Sequence, residues 1–393
     1  MKLENKTILV LSSENWGKML LSKHHYAIEL ARKGNTVYFL NPPGKEMRIK
    51  SKFNYRLDSS TKGVTVIDQY IYFPYDIRFH APGIFKWLMK WHIKQLLKSI
   101  NKPIDIIWSF DLQGLYSLKD FPASMLKLYF PADEPIIPNS INASNGADVL
   151  VSITKEIIGK FNKFKESSFL LNHGLAAEFL VHKANDYVVG SPKSVGISGN
   201  FLRNDIDREI LFNVIKENPD IIFECWGSYA VSHSNIGGST SIETVDFIKA
   251  LQFEPNVIMH GIVNTSELSA GINRMDAFLI CYDIRRDQSK GTNYHKIMEY
   301  LSTGKVIISN NVTAYEGKGK LVAMASKRNS NDELPGLFRE VINNLDYWNS
   351  TDLIAERKQF AEENRYSRQI DKLTVFLNER VLKGKISVEE KSN

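Results

Sequence analysis

Cysteine is scarce in this sequence, with only two among 393 residues. Cys225 and Cys281 both lie inside apolar runs that predict β-strands. A disulfide framework and a zinc site are therefore not expected. We interpret both residues as buried thiols of a protein in a reducing compartment.

Long apolar runs are also missing. No uncharged stretch approaches the ~18 residues that a membrane-spanning helix requires. The first residues, MKLENKTILVLSSENW, carry charges where a signal peptide has an unbroken apolar segment. These two absences predict a cytoplasmic protein.

Acidic residues form no compact cluster of the kind that binds a metal ion, so neither a metal nor another cofactor is expected. Repeats of solenoid period are absent as well, which argues against an extended array. With 43% hydrophobic and 24% charged residues, the composition is typical of a globular protein. The length suits two α/β domains.

Charge is distributed unevenly along the chain. Residues 1–188 contain 25 basic against 17 acidic residues, whereas the remainder contains 25 against 27. A basic first half is compatible with nucleic acid, an anionic membrane or a phosphorylated substrate. Composition does not choose among these partners.

The first half opens with a strand–helix–strand pattern. Apolar runs at 7–11 and 36–40 flank a segment with helical apolar spacing that ends at Gly34, a typical C-cap. This βαβ unit predicts a parallel sheet. Further strands are predicted at 104–109, 125–130, 149–153 and 168–171.

The alternation is clearest in the second half, after a polar, turn-rich segment at 181–194 that we interpret as a linker. Five strands then alternate with four helices up to residue 310, the pattern of a doubly wound sheet. The sequence thus predicts an α/β protein with two Rossmann-like, doubly wound parallel-sheet domains. The predicted bounds are 1–188 and 189–365, followed by a C-terminal helix at 366–393 that packs back toward the first domain.

Ligands of open α/β sheets bind outside the carboxyl ends of the strands, so polar residues directly after strands are the first candidates. One such loop contains Gly199, Asn200 and Arg203. Its glycines let the backbone approach an anion, the next helix presents its N-terminus, and Arg203 suits a phosphate. This signal alone is weak, because similar turns occur in any βα unit.

A second candidate is the short predicted helix that follows the strand ending at Tyr282. Lys296 and Glu299 lie three positions apart, so both side chains project from one face near the start of this helix. The cation suits a diphosphate, and the carboxylate can accept both hydroxyls of a ribose. The alternative is an ordinary i,i+3 salt bridge on a solvated face.

The segment NYHKIMEYLSTGKVIIS at 293–309 resembles the donor-binding signature of GT-B glycosyltransferases in the large retaining family often called group 1 or family 4. HGIVNTSELSAGINRMDAFLICYD and ADVLVSITKEII are similar to other segments of that family. The opening WGKMLLSKHHYAIELARKGNTVYFLNPP is similar to members that make cell-surface polysaccharides, including the teichuronic-acid type. The resemblance implies two domains facing a central cleft, with the sugar-nucleotide donor in the second domain and the acceptor in the first.

Carried over position by position, the resemblance makes Glu299 the ribose ligand and Arg203 and Lys296 the diphosphate ligands. It places Ile262 and Val263 beside the base. The other donor-site candidates are Gly199 and Asn200 of the glycine loop, Gly261 before Ile262, and Tyr282 at the end of its strand.

The sequence departs from this family near the sugar pocket. Many members have two glutamates eight positions apart, and the first would fall on Gly291. The usual proline two residues before the lysine is Tyr294 here. Thr292 and Asn293 are the candidates to replace the missing donor-sugar contacts.

Polar residues after strands of the first half are candidates for the acceptor side. The adjacent acids Asp133 and Glu134, together with Asp111, are the catalytic candidates, since a carboxylate can bind an acceptor hydroxyl or take its proton. Acids before a proline are also common turn formers. The acceptor-binding candidates are Asn15, Trp16, Gly17, His24 and His25, the two histidines having core or surface roles as their alternative.

A basic amphipathic helix is predicted at 85–100. Lysines recur at every fourth position with no acid among them, and apolar residues cover the opposite face. Such a helix can lie on an anionic membrane surface, the alternative being a core helix with a solvated lysine face. The membrane candidates are Lys86, Trp87, Lys90, Trp91, Lys94 and Lys98.

These features together predict a glycosyltransferase that moves a hexose from a nucleoside diphosphate sugar to a lipid-linked or surface-polysaccharide acceptor. Retention is implied by the resemblance alone, and no metal is required. The expected partners are the donor, a glycan or lipid-linked glycan, and an anionic membrane on whose inner face the protein would be peripheral. Nucleic acid is not expected, because no motif accompanies the charge.

Two other functions stay open at this stage. A GT-B sugar-nucleotide epimerase would share the fold and donor site and would turn over its donor without an acceptor. A non-catalytic sugar- or lipid-binding partner in polysaccharide assembly would bind no nucleotide. A dinucleotide dehydrogenase is disfavoured, because neither first βα turn has a full G-x-G-x-x-G motif.

Overall fold

The computed structural model describes residues 3–44, 52–58, 63–135, 138–180, 193–230, 238–287 and 289–382. The predicted linker at 181–194 lies outside the described residues except for its last two positions. The chain divides into two compact units. Unit 1 consists of Met1–Trp16, Leu21–Asn172 and Ser367–Asn393, and unit 2 consists of Gly17–Leu20 and His173–Tyr366.

The described residues of unit 1 form one sheet. Its strands are β1 (Thr7–Leu11), β2 (Thr36–Leu40), β3 (Phe53–Leu57), β4 (Val64–Gln69), β5 (Ile106–Ser109), β6 (Leu126–Tyr129), β7 (Val149–Ser152) and β8 (Ser168–Leu170). They lie in the order β3-β4-β2-β1-β5-β6-β7-β8, and every neighbouring pair is parallel except β3 with β4. The central strands are apolar at consecutive positions because both faces of a parallel sheet are covered.

Helices of different lengths lie between these strands in the sequence. They are α1 (Ser22–Arg32), α2 (Ile77–His80), α3 (Pro82–Ile100), α4 (Asn139–Ala143) and α5 (Lys155–Gly159). Helix α1 ends just before Gly34, whose φ of 87° is the left-handed conformation that favours glycine at a helix end. The predicted opening βαβ unit is therefore present in the fold.

Unit 2 also contains one sheet, and all its strands are parallel. The strands are β9 (Ser194–Ser198), β10 (Ile222–Trp226), β11 (Val257–Gly261), β12 (Ala277–Ile280), β13 (Val306–Ser309) and β14 (Ala323–Met324), in the order β11-β10-β9-β12-β13-β14. The strand order reverses between β9 and β12. In doubly wound sheets this reversal creates the crevice in which ligands bind.

Helices cover the sheet of unit 2. They are α6 (Arg208–Lys216), α7 (Ile242–Phe253), α8 (Thr265–Ile272), α9 (Lys296–Thr303), α10 (Leu334–Asn343), α11 (Leu345–Trp348) and α12 (Thr351–Glu363). The apolar faces of α6 and α10 pack against the sheet. At this contact the ring of Phe338 on α10 stacks on the ring of Phe223 on β10, with centroids 5.8 Å apart. The predicted alternation of five strands and four helices is confirmed, and β14 adds a sixth strand.

The last described element is α13 (Tyr366–Leu382), which lies with unit 1 from Ser367 onward. The Phe376 ring stacks on Phe169 of β8 at 4.6 Å between centroids, and the Lys33 ammonium lies 2.6 Å from the Asp371 carboxylate. Unit 1 is thus completed by residues from the far end of the chain. None of the described helices is both long enough and apolar enough to span a bilayer.

Candidate donor and acceptor sites

Three glycines join the loops that follow β9, β10 and β11. The Gly199 N–H donates to the Trp226 carbonyl at 2.9 Å, and the Gly227 N–H donates to the Gly261 carbonyl at 2.8 Å. A Cβ on Gly227 would lie 1.7 Å from the Gly199 carbonyl oxygen, so only glycine fits. The glycine loop predicted at Gly199 therefore depends on Gly227, which the sequence analysis did not single out.

Lys296 is the first residue of α9, and its ammonium reaches the glycine loop. It donates to the Tyr282 hydroxyl at 2.6 Å and to the Ser198 carbonyl. A Cβ on Gly199 would lie 2.7 Å from Lys296 Nζ, which shows how closely the lysine and the loop approach each other. Burial lowers the pKa of Lys296. The sequence-predicted residues Gly199, Tyr282 and Lys296 line one pocket.

Tyr300 holds the loop against the helix from within the core. Its hydroxyl accepts from the Ser198 N–H at 2.6 Å and lies 2.8 Å from the Ser198 hydroxyl. The ring stacks on Phe278 of β12 at 4.0 Å between centroids, nearly parallel to it. These contacts fix the position of α9 relative to β9, and therefore the position of Lys296 relative to the loop.

Glu299 lies one turn after Lys296 on α9 and is also buried. Burial raises the pKa of its carboxyl to about 7, although the nearby Lys296 opposes the shift. His295 Nε2 lies 3.7 Å from this carboxylate. The alternative of a solvated salt bridge does not fit, because neither Lys296 nor Glu299 is exposed.

Arg203 is positioned by an acid of its own loop. Its guanidinium forms an ion pair with Asp205, including a 2.7 Å hydrogen bond from Nε. Asp205 is 4% exposed, whereas the Arg203 side chain is 38% exposed. The carboxylate therefore holds one edge of a guanidinium that remains accessible from outside.

The loop before α9 is organised by a buried carboxylate, Asp287. It accepts from the Gly291 N–H at 2.8 Å and from the Tyr294 hydroxyl at 2.7 Å. A Cβ on Gly291 would lie 2.7 Å from the Ile284 side chain and 3.0 Å from the Asn311 carbonyl. With φ of 65° as well, the glutamate that many members of the resembled family carry there would be strained and crowded at this position.

The other predicted donor-site residues lie around these loops. Thr292 is fully buried and its hydroxyl donates to the Ser289 carbonyl at 2.7 Å, and Asn293 is buried beside it. Asn200 is buried and accepts from the Leu202 N–H at 3.1 Å. Ile262 and Val263 are half-buried directly after β11.

The three catalytic candidates of unit 1 differ in their surroundings. Both carboxylate oxygens of Asp111 accept backbone N–H groups of its own loop, from Gln113, Gly114 and Tyr116 at 3.0–3.1 Å. Glu134 forms an ion pair with Lys160. Asp133 is half-buried after β6. The Asp111 geometry is that of a loop-forming carboxylate.

The acceptor candidates at the start of the chain also differ in their burial and packing. His24 is fully buried, with its ring stacked on Phe39 at 5.0 Å and edge-on to Trp16 at 5.4 Å between centroids. Burial lowers the pKa of His24 to about 3. His25 is buried too, Asn15 is exposed, and Gly17 is grouped with unit 2. Trp16, His24 and Phe39 thus form an aromatic cluster in the core of unit 1.

Lys23, which directly precedes the two histidines, is a further buried residue beside these candidates, and its sequence context did not predict its burial. Its side chain is only 8% exposed, and its ammonium donates to the Ser13 hydroxyl at 3.2 Å and pairs with Glu14. Burial lowers its pKa to about 8, while the carboxylates of Asp133 and Asp111 oppose the shift. The only sequence signal for this buried cation is that Lys23 lies near the start of α1, the helix that follows β1.

Helix α3 has the predicted amphipathic arrangement. Phe85, Met89, Ile93, Leu96 and Ile100 are buried, and the four lysines lie on the exposed side. Two tryptophans are exposed with them, Trp87 by 68% and Trp91 by 43%. The Lys52 ammonium lies 3.3 Å from the centre of the Trp91 ring.

The part of the chain that the structure describes contains no cluster of three or more histidine, cysteine or acidic residues suited to a metal ion. Cys225 and Cys281 are both buried and unpaired with each other, as expected. Burial raises the pKa of the Cys225 thiol to about 12.

The two doubly wound parallel sheets define the GT-B class of fold, as the sequence predicts. Solved structures of this class cover nearly the whole chain. A sucrose-phosphate synthase from Thermosynechococcus elongatus is 10% identical, with a TM-score of 0.67 over 96% of this chain and 100% of its own. HepE from Anabaena, in complex with UDP and glucose, is 13% identical, with a TM-score of 0.65 over 95% of this chain and 100% of its own.

A third structure of the same fold is the lipopolysaccharide outer core galactosyltransferase WaaB in its apo form. It is 13% identical, with a TM-score of 0.62 over 95% of this chain and 99% of its own. No family model matches the sequence, and no curated protein matches it either. At these identities the structural likeness establishes the fold, and function has to be argued from the site.

Proposed function

We propose that this protein is a glycosyltransferase that moves a hexose from a nucleoside diphosphate sugar to an acceptor hydroxyl, with retention at the transferred carbon. The observation that carries the proposal is the buried ammonium of Lys296. It lies at the start of α9 and against the glycine loop, and its hydrogen-bond partners, Tyr282 and the Ser198 carbonyl, are neutral. The carboxylates of Glu299 and Asp205 act on this cation electrostatically, but no described residue forms an ion pair with it, so the position favours an anionic ligand.

A diphosphate suits this position for two further reasons. Gly199 leaves no side chain between backbone and ligand, and the N-terminus of α9 adds the positive end of a helix dipole. Arg203, held on one edge by Asp205, can supply a second cation. As the sugar–phosphate bond breaks, negative charge grows on the leaving diphosphate, and these groups stabilise it without a metal.

The nucleoside is assigned to the neighbouring loops. Glu299 lies one turn beyond Lys296, and its ionised carboxylate would accept the two hydroxyls of the ribose. Ile262 and Val263 supply apolar surface for the base, next to Gly261. HepE, of the same fold, holds UDP and glucose in its structure, which makes UDP the first nucleotide to test.

For the acceptor we favour a lipid-linked or surface-polysaccharide glycan that reaches unit 1 from a membrane. The exposed lysines and tryptophans of α3 are the combination found on helices that lie in anionic membrane interfaces. The protein would then be peripheral on the inner face of the membrane. Cell-surface polysaccharide synthesis, suggested by the sequence resemblance, is the process that fits this placement.

The donor site is tested by UDP binding to Glu299→Ala and Lys296→Met, measured by calorimetry. We expect Glu299→Ala to abolish detectable binding and Lys296→Met to weaken it about 10- to 100-fold, because charged hydrogen bonds each contribute about 1.5–3 kcal/mol. Both variants should keep the fold, since each replaces a costly buried charge.

Glu340→Ala and Lys327→Met are matched controls on exposed parts of unit 2, and both should bind UDP like the wild type. Unchanged UDP affinity in Glu299→Ala, with a normal melting curve, would remove Glu299 from the ribose site. No binding of any nucleoside diphosphate by the wild type would refute the proposed function.

A further inference from the structure

Unit 1 contains a cavity of about 560 Å³ at the carboxyl ends of its central strands. It lies among the loops that follow β1, β2, β4 and β5. Sites of about 300–1,000 Å³ commonly hold small molecules or parts of larger ones. None of the acceptor candidates Asn15, Trp16, His24 and His25 lines this cavity.

The wall of the cavity is mainly apolar. Loops after β2, β4 and β5 supply proline, branched and aromatic side chains. They are Pro42, Pro43, Ile71, Phe73, Tyr75 and Leu115. Such a lining favours an occupant with little polarity.

Polar groups in the wall are largely engaged within the protein. The carboxylate of Asp111 is taken up by three backbone N–H groups, and the Tyr116 hydroxyl accepts from Gln69. The Ser12 hydroxyl donates to the Glu14 carbonyl at 2.7 Å, and the Ser13 hydroxyl donates to the Glu14 carboxylate at 2.8 Å. These groups therefore have little capacity left to bind the hydroxyls of a sugar.

The cavity wall packs against the buried face of α3 and adjoins exposed apolar residues of α2 and of the start of α3. Phe73 and Tyr75 both pack edge-on against Phe85 of α3, with ring centroids 5.7 and 5.8 Å apart. Tyr75 also contacts Phe79 of α2, which is 70% exposed. Ile84, at the start of α3, is 57% exposed.

Cations surround this exposed apolar surface. The Arg78 guanidinium donates to the Tyr75 hydroxyl at 2.6 Å and to the Gln113 carbonyl at 2.5 Å, so it lies at the rim of the cavity. The lysines of α3 extend the positive charge along the helix. An apolar cavity, exposed aromatic residues and a basic border match a lipid with an anionic headgroup.

We infer that this cavity is the binding site for the hydrocarbon chain of an amphiphilic acceptor, taken from an anionic membrane on which α2 and α3 lie. The inference rests on the proposed function for the role of the bound molecule as acceptor. It narrows the acceptor class from glycans in general to lipid-linked molecules. The cavity selects the chain, and the reacting sugar remains outside it.

The inference is tested with octyl and decyl maltoside below their micelle concentrations, with maltose as the chain-free comparison. Each CH₂ group that enters the cavity should tighten binding about fourfold, the ratio that corresponds to about 0.8 kcal/mol. Leu115→Trp fills the cavity from its wall, and Gln113→Trp blocks it from an exposed position at its edge. Both should weaken decyl maltoside binding at least tenfold.

Leu57→Trp is the matched control, because Leu57 is 76% exposed and does not line the cavity. It should bind decyl maltoside like the wild type. Gln113→Trp changes an exposed residue, so it keeps the test valid even if Leu115→Trp does not fold. Equal affinity for the two chain lengths, equal affinity for maltose, or full binding in both tryptophan variants would each overturn the inference.

Two further measurements separate this inference from the proposed function and from surface adsorption. UDP binding is measured on the same samples: UDP binding without maltoside binding would sink the inference alone, and maltoside binding without UDP binding would sink the proposed function alone. Trp87→Ser, on the exposed face of α3, should leave maltoside binding within about twofold. Loss of binding in that variant, with none in Leu115→Trp, would assign the detergent to the helix surface and overturn the cavity site.

Discussion

Burial has different consequences for two titratable residues of this protein, His24 and Lys296. His24 is enclosed between Trp16 and Phe39 and stays neutral, because burial lowers its pKa to about 3. Lys296 is equally enclosed but keeps its ammonium next to a glycine loop and a helix N-terminus. His24 is hydrogen-bonded and packed by its neighbours, whereas Lys296 is the cation that we propose binds the diphosphate.

Glu299 predicts an unusual pH dependence of stability in the ligand-free protein. Its pKa rises from the ordinary 4.5 to about 7 on folding, so between these values the folded state binds more protons than the unfolded state. Its contribution to the free energy of unfolding should therefore fall as pH rises from about 4.5 to 7, by about 3 kcal/mol at most.

The variant Glu299→Gln removes this titration and tests the prediction. Thermal melts of both proteins between pH 5 and 8 should show the variant becoming more stable relative to the wild type as pH rises. Titrating groups that do not interact with Glu299, such as His24, occur in both proteins and cancel in the difference. A difference that stays constant across this pH range would contradict the raised pKa of Glu299.

At the scale of elements, the donor site depends on loops held close together rather than on one motif. The loops after β9 and β10 touch at Gly199 and Gly227, and α9 is fastened to β9 by Tyr300. The position of Lys296 is therefore set by the contacts that its helix makes with other elements. Changes in those contacts should move the lysine without altering it.

Gly227→Ala should destabilise the protein by more than about 2 kcal/mol, because its Cβ would overlap the Gly199 carbonyl and its φ of 131° disfavours alanine. Gly336→Ala is the matched control, since it lies in α10 with open space around it. There, alanine should stabilise by about 0.5–1 kcal/mol. Urea unfolding measures both, and equal effects would argue against the loop contact.

Helix α3 carries a second prediction at this scale. Replacing Lys86, Lys90, Lys94 and Lys98 by glutamate should release the protein from vesicles of phosphatidylglycerol and phosphatidylcholine. Each lysine near an anionic surface contributes about 1 kcal/mol, so partitioning should fall at least about 100-fold.

The matched control for this helix replaces four exposed lysines of unit 2, which changes the net charge equally. They are Lys216, Lys249, Lys327 and Lys358. If both quadruple variants lose vesicle binding to the same extent, net charge alone explains the attraction and α3 has no special role. Sedimentation with the vesicles provides the measurement.

At the scale of the whole molecule, two sheets divide the proposed work. Unit 2 carries the donor candidates, and unit 1 carries the apolar cavity and the basic helix. Unit 1 is closed by α13, whose Phe376 stacks on Phe169. Each half can therefore be tested by a ligand of its own.

Nucleotide binding should stabilise the full chain against heat. At a UDP concentration 100 times the Kd, the free energy of unfolding should rise by about 2.7 kcal/mol, and the melting temperature should increase with concentration. The same screen over nucleoside diphosphate sugars identifies the base and the sugar. A donor that is isomerised without any acceptor would indicate an epimerase instead of a transferase.

Much of the fold followed from sequence patterns. The strands and helices of unit 2 were predictable because β-branched runs and helical apolar spacing alternate cleanly between residues 194 and 310. Strands β3 and β4 were missed, although the buried VTVIDQ run of β4 has a strand composition. β3 has one buried residue and four exposed ones, so its sequence carries little apolar signal.

The candidate site divides in the same way. Sequence spacing brought Lys296 and Glu299 together, because residues three apart on a helix share a face whatever the rest of the chain does. The contacts of Lys296 with Ser198 and of Gly199 with Gly227 connect different loops. Their partners depend on strand order, which no local pattern reports.

The sequence by itself determined the alternation of strands and helices, the glycine loop, the spacing of Lys296 and Glu299, and the two faces of α3, because each is a local property of the chain. Only the tertiary structure decided that Lys296 is buried against that loop, that a side chain at Gly291 would be crowded, and that an apolar cavity adjoins α2 and α3. Burial, close approach and cavities arise from segments distant in sequence. The free energies of these contacts therefore depend on the packing of the whole fold and cannot be inferred from a local segment of the sequence.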